Sequence, residues 1–248
     1  MSPVQESVST EEFLSNKPVF EEVADSFMAY VSEMPVAQVA DILKISNQLA
    51  IKTHNLAYDF PHKLTGYRAL FAFTGEAYRG LDITSISEQG LNNANDGLRI
   101  ISSVYGLLKS TDFVKPYRCE FNKPIAPGNK TPIQVFKSKN TIEMVNLIKQ
   151  KKITEIIDLL PADADKCIDW KIVRAFASVY KVCFQQYNQD GSLKTPIASR
   201  LKELRGKMAR FIFENNIDSF SQLCRAEAHD FVFSEEHSKS GLPVFIAD

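Results

Sequence analysis

The stretch from Leu98 to Glu120, LRIISSVYGLLKSTDFVKPYRCE, ends in three side chains that could do chemistry together: Tyr117, Arg118 and Glu120. They set a phenol, a guanidinium and a carboxylate within four residues. A guanidinium presents a planar fork of N–H donors that fits phosphate or carboxylate, and a neighbouring carboxylate orients it. Such a group either closes a structural network or lines a site for an anion. A second group lies in SRLKELRGKMARFIFEN, residues 199–215. On a wheel of about 100° per residue with Leu201 at the origin, Leu204, Met208, Phe211 and Ile212 form one apolar face. Arg205 projects about 20° beyond Ile212, at the edge of that face. A half-buried guanidinium needs an anion. That anion is either an internal carboxylate, Glu120 or Asp163 for example, or a ligand. Lys202 lies beside it, and Gly206 and Ala209 are small enough for a backbone or a phosphate to approach.

Composition narrows the classes. The chain has 248 residues, 44% of them hydrophobic, enough for a sizeable core. No apolar run reaches the ~18–20 residues of a membrane span. The opening MSPVQESVSTEEF has neither a basic nor an apolar signal region, which predicts a protein without a secretory leader. The four cysteines (Cys119, Cys167, Cys183, Cys224) are far apart and form no CxxC pair, which suits a reduced cytoplasm. The four histidines show no ligand spacing, and there is no Walker loop and no GxGxxG, so no metal or cofactor is expected. Net charge is −1, but it is unevenly spread. Residues 1–34 hold seven acids against Lys17, and residues 166–211 hold ten Lys/Arg against Asp169, Asp190 and Glu203. That second zone is either a solvated mixed surface or a place for phosphate.

The elements that must position these residues follow from periodicity and punctuation. Ser9-Thr10-Glu11-Glu12 predicts a capped helix start. Phe20–Val31 reads as an amphipathic helix that closes near Pro35, and Gln38–Ala57 as two helices with a break near Ser46-Asn47. Leu64–Phe73 is extended or helical, and Ser87–Asn95 is a polar helix. Leu98, Ile101, Tyr105 and Leu108 share one side of an apolar helix that leads into the Tyr117 group. Phe121–Lys130 is loop, Ile142–Lys151 a helix with a basic end, and Ile153–Leu160 a short strand. Val179–Phe184 alternates as a strand, and Gln189-Asp190-Gly191 is a turn. Helices at Ser199–Asn215 and Asp218–Leu223 and a strand at Pro243–Ile246 complete the chain. This mixture without regular βαβ alternation predicts an α+β (mixed α/β) fold, one domain over residues 1–248.

The first stretch resembles the YaaA family, bacterial proteins linked to peroxide stress, whose hallmark runs L-R-x-x-S-x-x-Y-G-[LV]-L-[RK]-P-x-D-x-x-x-P-Y-R-x-E. Leu98, Arg99, Ser102, Tyr105, Gly106, Leu108, Lys109, Asp112, Pro116, Tyr117, Arg118 and Glu120 match, and Ser110 replaces the proline. Lys202-x-x-Arg205-Gly206-x-Met208-x-Arg210-Phe211-Ile212 is similar to the family's K-x-x-R-G-x-M-[ST]-R-F-I. Leu43-x-Ile45-Ser46-x-x-Leu49-Ala50 resembles L-x-[IV]-S-x-K-[LI]-A, with Gln48 for lysine. Phe73-Thr74-Gly75-x-x-Tyr78-x-Gly80-Leu81 resembles F-x-G-x-x-Y-x-G-L. Asp169-Trp170-Lys171 and Glu227-x-x-x-Phe231 match more loosely. The resemblance is clearest over residues 35–248.

Three positions depart from the pattern. The family's opening I-S-P-A-K-T strand is reduced to Ser2-Pro3 with Gln5 in place of lysine, or is missing. Its N-L-A-S-x-E-Y step reads Asp158-Leu159-Leu160-Pro161-Ala162-Asp163-Ala164, so the serine is absent and Asp163 stands for glutamate. The resemblance implies a mixed sheet surrounded by helices, a positively charged cleft, and a helix-hairpin-helix element that engages double-stranded DNA without sequence preference. The counterpart of that element is Gln38–Ala57, with Lys44 and Lys52 but without hairpin glycines. The expected protein is a cytoplasmic, monomeric, non-enzymatic DNA binder of the oxidative stress response. In it Tyr117, Arg118, Lys202, Arg205 and Arg210 would meet phosphate, with Glu120 and Asp163 orienting the arginines. Two alternatives stay open: an enzyme acting on a nucleotide-like or amino-nitrogen substrate in the cleft, and a divergent member with an impaired site.

Overall fold

The computed structural model describes residues 16–63, 66–226 and 228–247 and has the α+β character that the sequence predicts. The residues Ser2, Pro3, Gln5, the Ser9–Glu12 capping box and Glu227 lie outside the described residues. From the N-terminal side come α1 (Glu21–Ser32), α2 (Val36–Leu43), α3 (Asn47–Asp59), β1 (Tyr67–Arg68) and α4 (Ala69–Ala72). Next are α5 (Glu76–Leu81), α6 (Glu88–Gly97), β2 (Arg99–Ser102), β3 (Gly106–Lys109), β4 (Phe113–Val114) and α7 (Pro132–Lys151). Then follow β5 (Glu155–Asp158), α8 (Ala162–Asp165), α9 (Trp170–Val173), β6 (Ser178–Lys181), β7 (Cys183–Tyr187) and β8 (Leu193–Lys194). The chain continues with α10 (Ala198–Glu214), α11 (Phe220–Arg225), β9 (Phe231–Lys239) and β10 (Leu242–Ala247). It divides into two compact units, each assembled from three chain segments.

The first unit comprises residues 1–73, 98–144 and 162–170. Its hallmark stretch is not the helix that the apolar spacing predicts. Residues 99–102 and 106–109 pair as an antiparallel hairpin, with Ile100 opposite Leu108 and Ser102 opposite Gly106. Ser102 causes the reversal: its Oγ accepts the N–H groups of Val104 (3.1 Å) and Tyr105 (2.9 Å), a side-chain substitute for helical bonding. Gly106 completes it at φ +66°, and a Cβ there would lie 2.6 Å from Asn140 Oδ1. The β-branched Ile100 and Ile101 favour the strand, so the helical spacing of this short run was accidental. Asn140 of α7 holds the hairpin in place, accepting Leu107 N–H at 2.9 Å and donating to Cys167 O at 3.2 Å. Helix α7 starts earlier than Ile142, at a Thr131-Pro132-Ile133-Gln134 capping box. Phe136 of α7 stacks on Phe27 of α1 (5.7 Å), joining the two helices in the core.

The second unit comprises residues 74–97, 145–161 and 171–248. Its sheet runs β8-β7-β10-β9, with β7 and β10 parallel and the other neighbours antiparallel. A separate parallel pair, β5 and β6, sets Asp158 beside Lys181. The predicted strand Val179–Phe184 is therefore two strands in two sheets, broken at Val182. Strand β9 is absent from the sequence prediction, because its polar half, Ser234–Lys239, masks the alternation. Helix α10 lays Leu204 and Met208 on Val182, Phe184, Leu223, Phe231 and Phe245, as its apolar face predicts. It crosses α5 backbone to backbone. A Cβ at Gly206 would lie 1.8 Å from Ala77 O, and one at Gly80 would lie 2.2 Å from Glu203 O. The close approach that Gly206 permits is thus to another helix.

Candidate anion-recognition site

Most hallmark residues turn out to hold the fold. Tyr117 Oη and Ser102 Oγ are hydrogen-bonded at 2.8 Å, on the same hydroxyl that reverses the β2–β3 hairpin. The Tyr117 ring packs edge-on against Tyr105 (5.9 Å) and Phe73 (6.4 Å). Burial raises its phenol to about 12, against the pull of bonds to Ser102 and Ser103, so it stays neutral. Tyr105 Oη accepts Lys115 N–H at 2.9 Å. Asp112 is buried and accepts Lys109 N–H at 2.9 Å, closing the turn between β3 and β4. Burial pushes its carboxyl up to about 6. Arg118 and Glu120 are different: both are exposed, and neither side chain makes a hydrogen bond or ion pair among the described residues. The same holds for Asp163, exposed in α8. Neither carboxylate is bonded to an arginine.

In the second unit, α10 carries Lys202, Arg205 and Arg210. Arg210 is bound inward. Its guanidinium donates to Leu81 O (3.2 Å), Asp82 O (2.7 Å) and Ser85 O (2.8 Å), and it pairs with Glu214 (3.3 Å). These bonds clamp the turn after α5. Much of the basic zone is balanced in the same way. Lys207 pairs with Asp230 and Glu203, Arg200 with Glu203, and Lys181 with Asp158. Lys202 is exposed and has no such partner among the described residues.

Arg205 is half-buried, as the wheel predicts, but its internal anion is neither Glu120 nor Asp163. No described residue accepts a hydrogen bond from it, and its Nε is buried without a partner. Burial lowers its pKa, opposed first by Asp158 and then by Cys183. Asp158 is 1% exposed and fully engaged: Oδ2 holds Lys181 Nζ at 3.0 Å and Oδ1 accepts Leu160 N–H at 2.9 Å. Sequence reasoning did not single out Asp158 or Lys181. The signal was a carboxylate inside the apolar run of TEIIDLL, which needs a cation once buried.

Helices α2 and α3 in the first unit form a hairpin across Lys44-Ile45-Ser46. Lys44 adopts φ 56°, ψ 47°, the left-handed conformation that a hairpin glycine would otherwise supply. Ser46 caps α3 by accepting Leu49 N–H. The backbone N–H groups of Ser46, Asn47 and Gln48 find no acceptor among the described residues, and all three residues are exposed. Lys44 and Lys52 are exposed beside them.

A cleft of about 630 Å³ runs along α10, lined by Glu76, Asp82, Glu203, Glu214 and Asp230 with Arg79, Lys207 and Arg210. Its three cations are paired with its own carboxylates, and neither Lys202 nor Arg205 lines it. Burial holds the Cys119 and Cys167 thiols at about 12 and Cys224 at about 11, protonated at neutral pH. Among the described residues no group of three or more His, Cys, Asp or Glu could hold a metal ion. Among the same residues no helix is long and apolar enough to cross a membrane.

The chain is similar to proteins from several organisms. A UPF0246 protein from Shewanella pealeana is 29% identical over 237 residues, covering 93% of this chain and 90% of the relative. One from Clostridium perfringens is 29% identical over 239 residues, covering 94% and 92%. One from Shewanella halifaxensis is 30% identical over 217 residues, covering 85% and 82%. The model of the family described as "Peroxide stress protein YaaA" matches residues 1–237, and this chain belongs to that family.

Proposed function

We propose that this chain is a cytoplasmic protein of the peroxide stress response that binds double-stranded DNA through its phosphates, without reading sequence. The observation that carries this reading is the α2–α3 hairpin. Lys44 takes the left-handed backbone conformation itself, so the turn is tight without glycine. The exposed amides of Ser46, Asn47 and Gln48 sit at the positive end of α3, with Lys44 and Lys52 beside them. Backbone N–H groups at a helix start bind phosphate and carry no base preference. Arg118 of the same unit, exposed and unpaired among the described residues, supplies a further cation, while Tyr117 is bonded to Ser102 and, in the second unit, Arg210 to the turn after α5.

Titration of a fluorescent duplex at several salt concentrations tests this. Three phosphate contacts from Lys44, Lys52 and Arg118, all in the first unit, predict a slope of log affinity against log salt of roughly −2.7. Replacing Lys44 and Lys52 with alanine lowers its magnitude by roughly 1.8, by the same amount for unrelated sequences. Affinity that is flat with salt, or unaltered in the double variant, refutes the reading.

A further inference from the structure

The C-terminal end of α7 and the turn before β6 carry a basic surface that neither the core nor the duplex reading uses. Residues 145–154 and 171–178, both in the second unit, hold Lys149, Lys151, Lys152, Lys171 and Arg174 and no Asp or Glu. The two segments lie side by side. Ser178 N–H donates to Thr154 O at 2.9 Å, and Glu155 stands opposite Ser178 in the β5–β6 register. Where they meet, Lys149 Nζ lies over the Phe176 ring, 4.7 Å from its centroid. Both residues are exposed, Phe176 at 43%. Lys151, Lys152 and Arg174 are exposed as well, and none of their side chains makes a hydrogen bond or ion pair among the described residues.

The helix end explains only part of this. Lys149 and Lys151 lie in the last turn of α7, where cations suit the helix dipole. Lys152, left-handed at φ 55°, lies beyond the helix, and Arg174 belongs to the other segment. A lone exposed ring needs no account, but a ring set among unpaired cations is the arrangement that meets a nucleic acid strand. Cations take the phosphates, and the ring stacks on a base. The ring also decides the form of that strand. In a duplex the base faces stack on one another, so a surface ring gains nothing, whereas an unpaired strand offers them. A lipid surface would need a broader apolar face. Here the large exposed apolar side chains are Ile172 and Phe176, and α9 is one turn of four residues rather than an amphipathic helix.

We infer that the surface of Lys149, Lys151, Lys152, Arg174 and Phe176 binds single-stranded DNA, stacking a base on Phe176 and holding the adjoining phosphates with the cations. It goes beyond duplex binding and shares no residue with the α2–α3 hairpin. Only the choice of DNA over RNA rests on the duplex reading.

Fluorescence anisotropy of the full chain with a labelled oligothymidylate of about 12 nucleotides tests the surface. The wild type should bind it with a slope of log affinity against log salt of roughly −2.8, for four phosphate contacts at the single-strand value. Phe176→Leu keeps the apolar bulk and should weaken binding roughly five- to hundredfold. Phe176→Tyr, which keeps the ring, should bind as the wild type does. Arg174→Ala changes an exposed side chain outside the core and should reduce the magnitude of the slope by roughly 0.7. It keeps the test decisive if Phe176→Leu does not fold. Duplex affinity should be unaltered in Phe176→Leu, and oligothymidylate affinity unaltered when Lys44 and Lys52 are replaced, so the two readings fail separately. The inference is overturned if the wild type does not bind oligothymidylate, or if either the folded Phe176→Leu or the Arg174→Ala protein matches the wild type. Binding of oligouridylate alone, at the same length, also overturns it.

Discussion

Changing Gly206 to alanine would force α5 and α10 apart, and the size of the effect follows from the distances between them. The added Cβ would lie 1.8 Å from Ala77 O, 2.8 Å from Ala77 C and 2.7 Å from Leu81 N. All three are backbone atoms of α5, so no side chain can swing aside. Cβ contacts below 3.0 Å are essentially never seen, so α5 must retreat by at least 1.2 Å. The movement carries with it Leu81 O and Asp82 O, to which Arg210 donates. Overpacking of this kind costs about 1–3 kcal/mol, and loosening the charged hydrogen bonds adds about 1–2 kcal/mol. Alanine returns up to about 1 kcal/mol through its better helix propensity. The steric term wins, and a net loss of about 3 kcal/mol is expected. Urea unfolding measures it directly as a lower midpoint at unchanged slope. A Gly206→Ala protein as stable as the wild type would show that the two backbones do not meet, and would remove the explanation of the Arg205-Gly206 motif.

Three further changes separate structural from functional residues. Asp112 has a folded pKa of about 6, raised from 3.8, so its stabilising contribution is present below pH 3.8 and is lost as pH rises through 6. Asp112→Asn, which keeps an acceptor for Lys109 N–H, should therefore gain stability relative to wild type between pH 4 and 7, by up to about 3 kcal/mol. Equal pH profiles in parallel urea titrations would contradict this. Ser102→Ala removes the acceptor of two buried N–H groups and the partner of Tyr117, and should cost about 2–4 kcal/mol by the same assay. A loss below about 0.5 kcal/mol would mean that the hairpin does not depend on that hydroxyl. Arg210→Met should lower stability by about 1–3 kcal/mol while leaving duplex affinity unchanged. A stable variant with weakened binding would return Arg210 to the phosphate-contacting set.

How much was legible in the sequence depended on whether local signals agreed with tertiary ones. Helix α10 and the edge position of Arg205 follow from a 3.6-residue period that packing later respects. The α2–α3 break is marked by Ser46, a capping residue placed before the second apolar series. In the hallmark, four residues match a helical face by coincidence, although the stretch folds as a hairpin. Ser102 and Gly106, which bend the chain, looked like ordinary helix-compatible or terminal residues. The Thr131–Gln134 box was a usable start signal for α7, but the polar residues after it hid the helix. Within the candidate site, no local pattern couples Asp158 at the end of β5 to Lys181 at the end of β6. Their pairing exists only once the parallel strands form. The left-handed Lys44 was equally out of reach, since lysine does not ordinarily mark such a turn.

The account stands most directly on the amides of the α2–α3 hairpin, and Asn47→Pro isolates one of them. Asn47 is the first residue of α3, where proline is accepted, and Ser46 before it already has the extended backbone (φ −62°, ψ 153°) that a following proline requires. The substitution therefore removes one N–H without disturbing helix or charge. Duplex affinity, measured beside the melting temperature and the salt slope, should fall roughly 5- to 30-fold with the other two unchanged. Wild-type affinity in the Asn47→Pro protein would contradict phosphate binding at this hairpin.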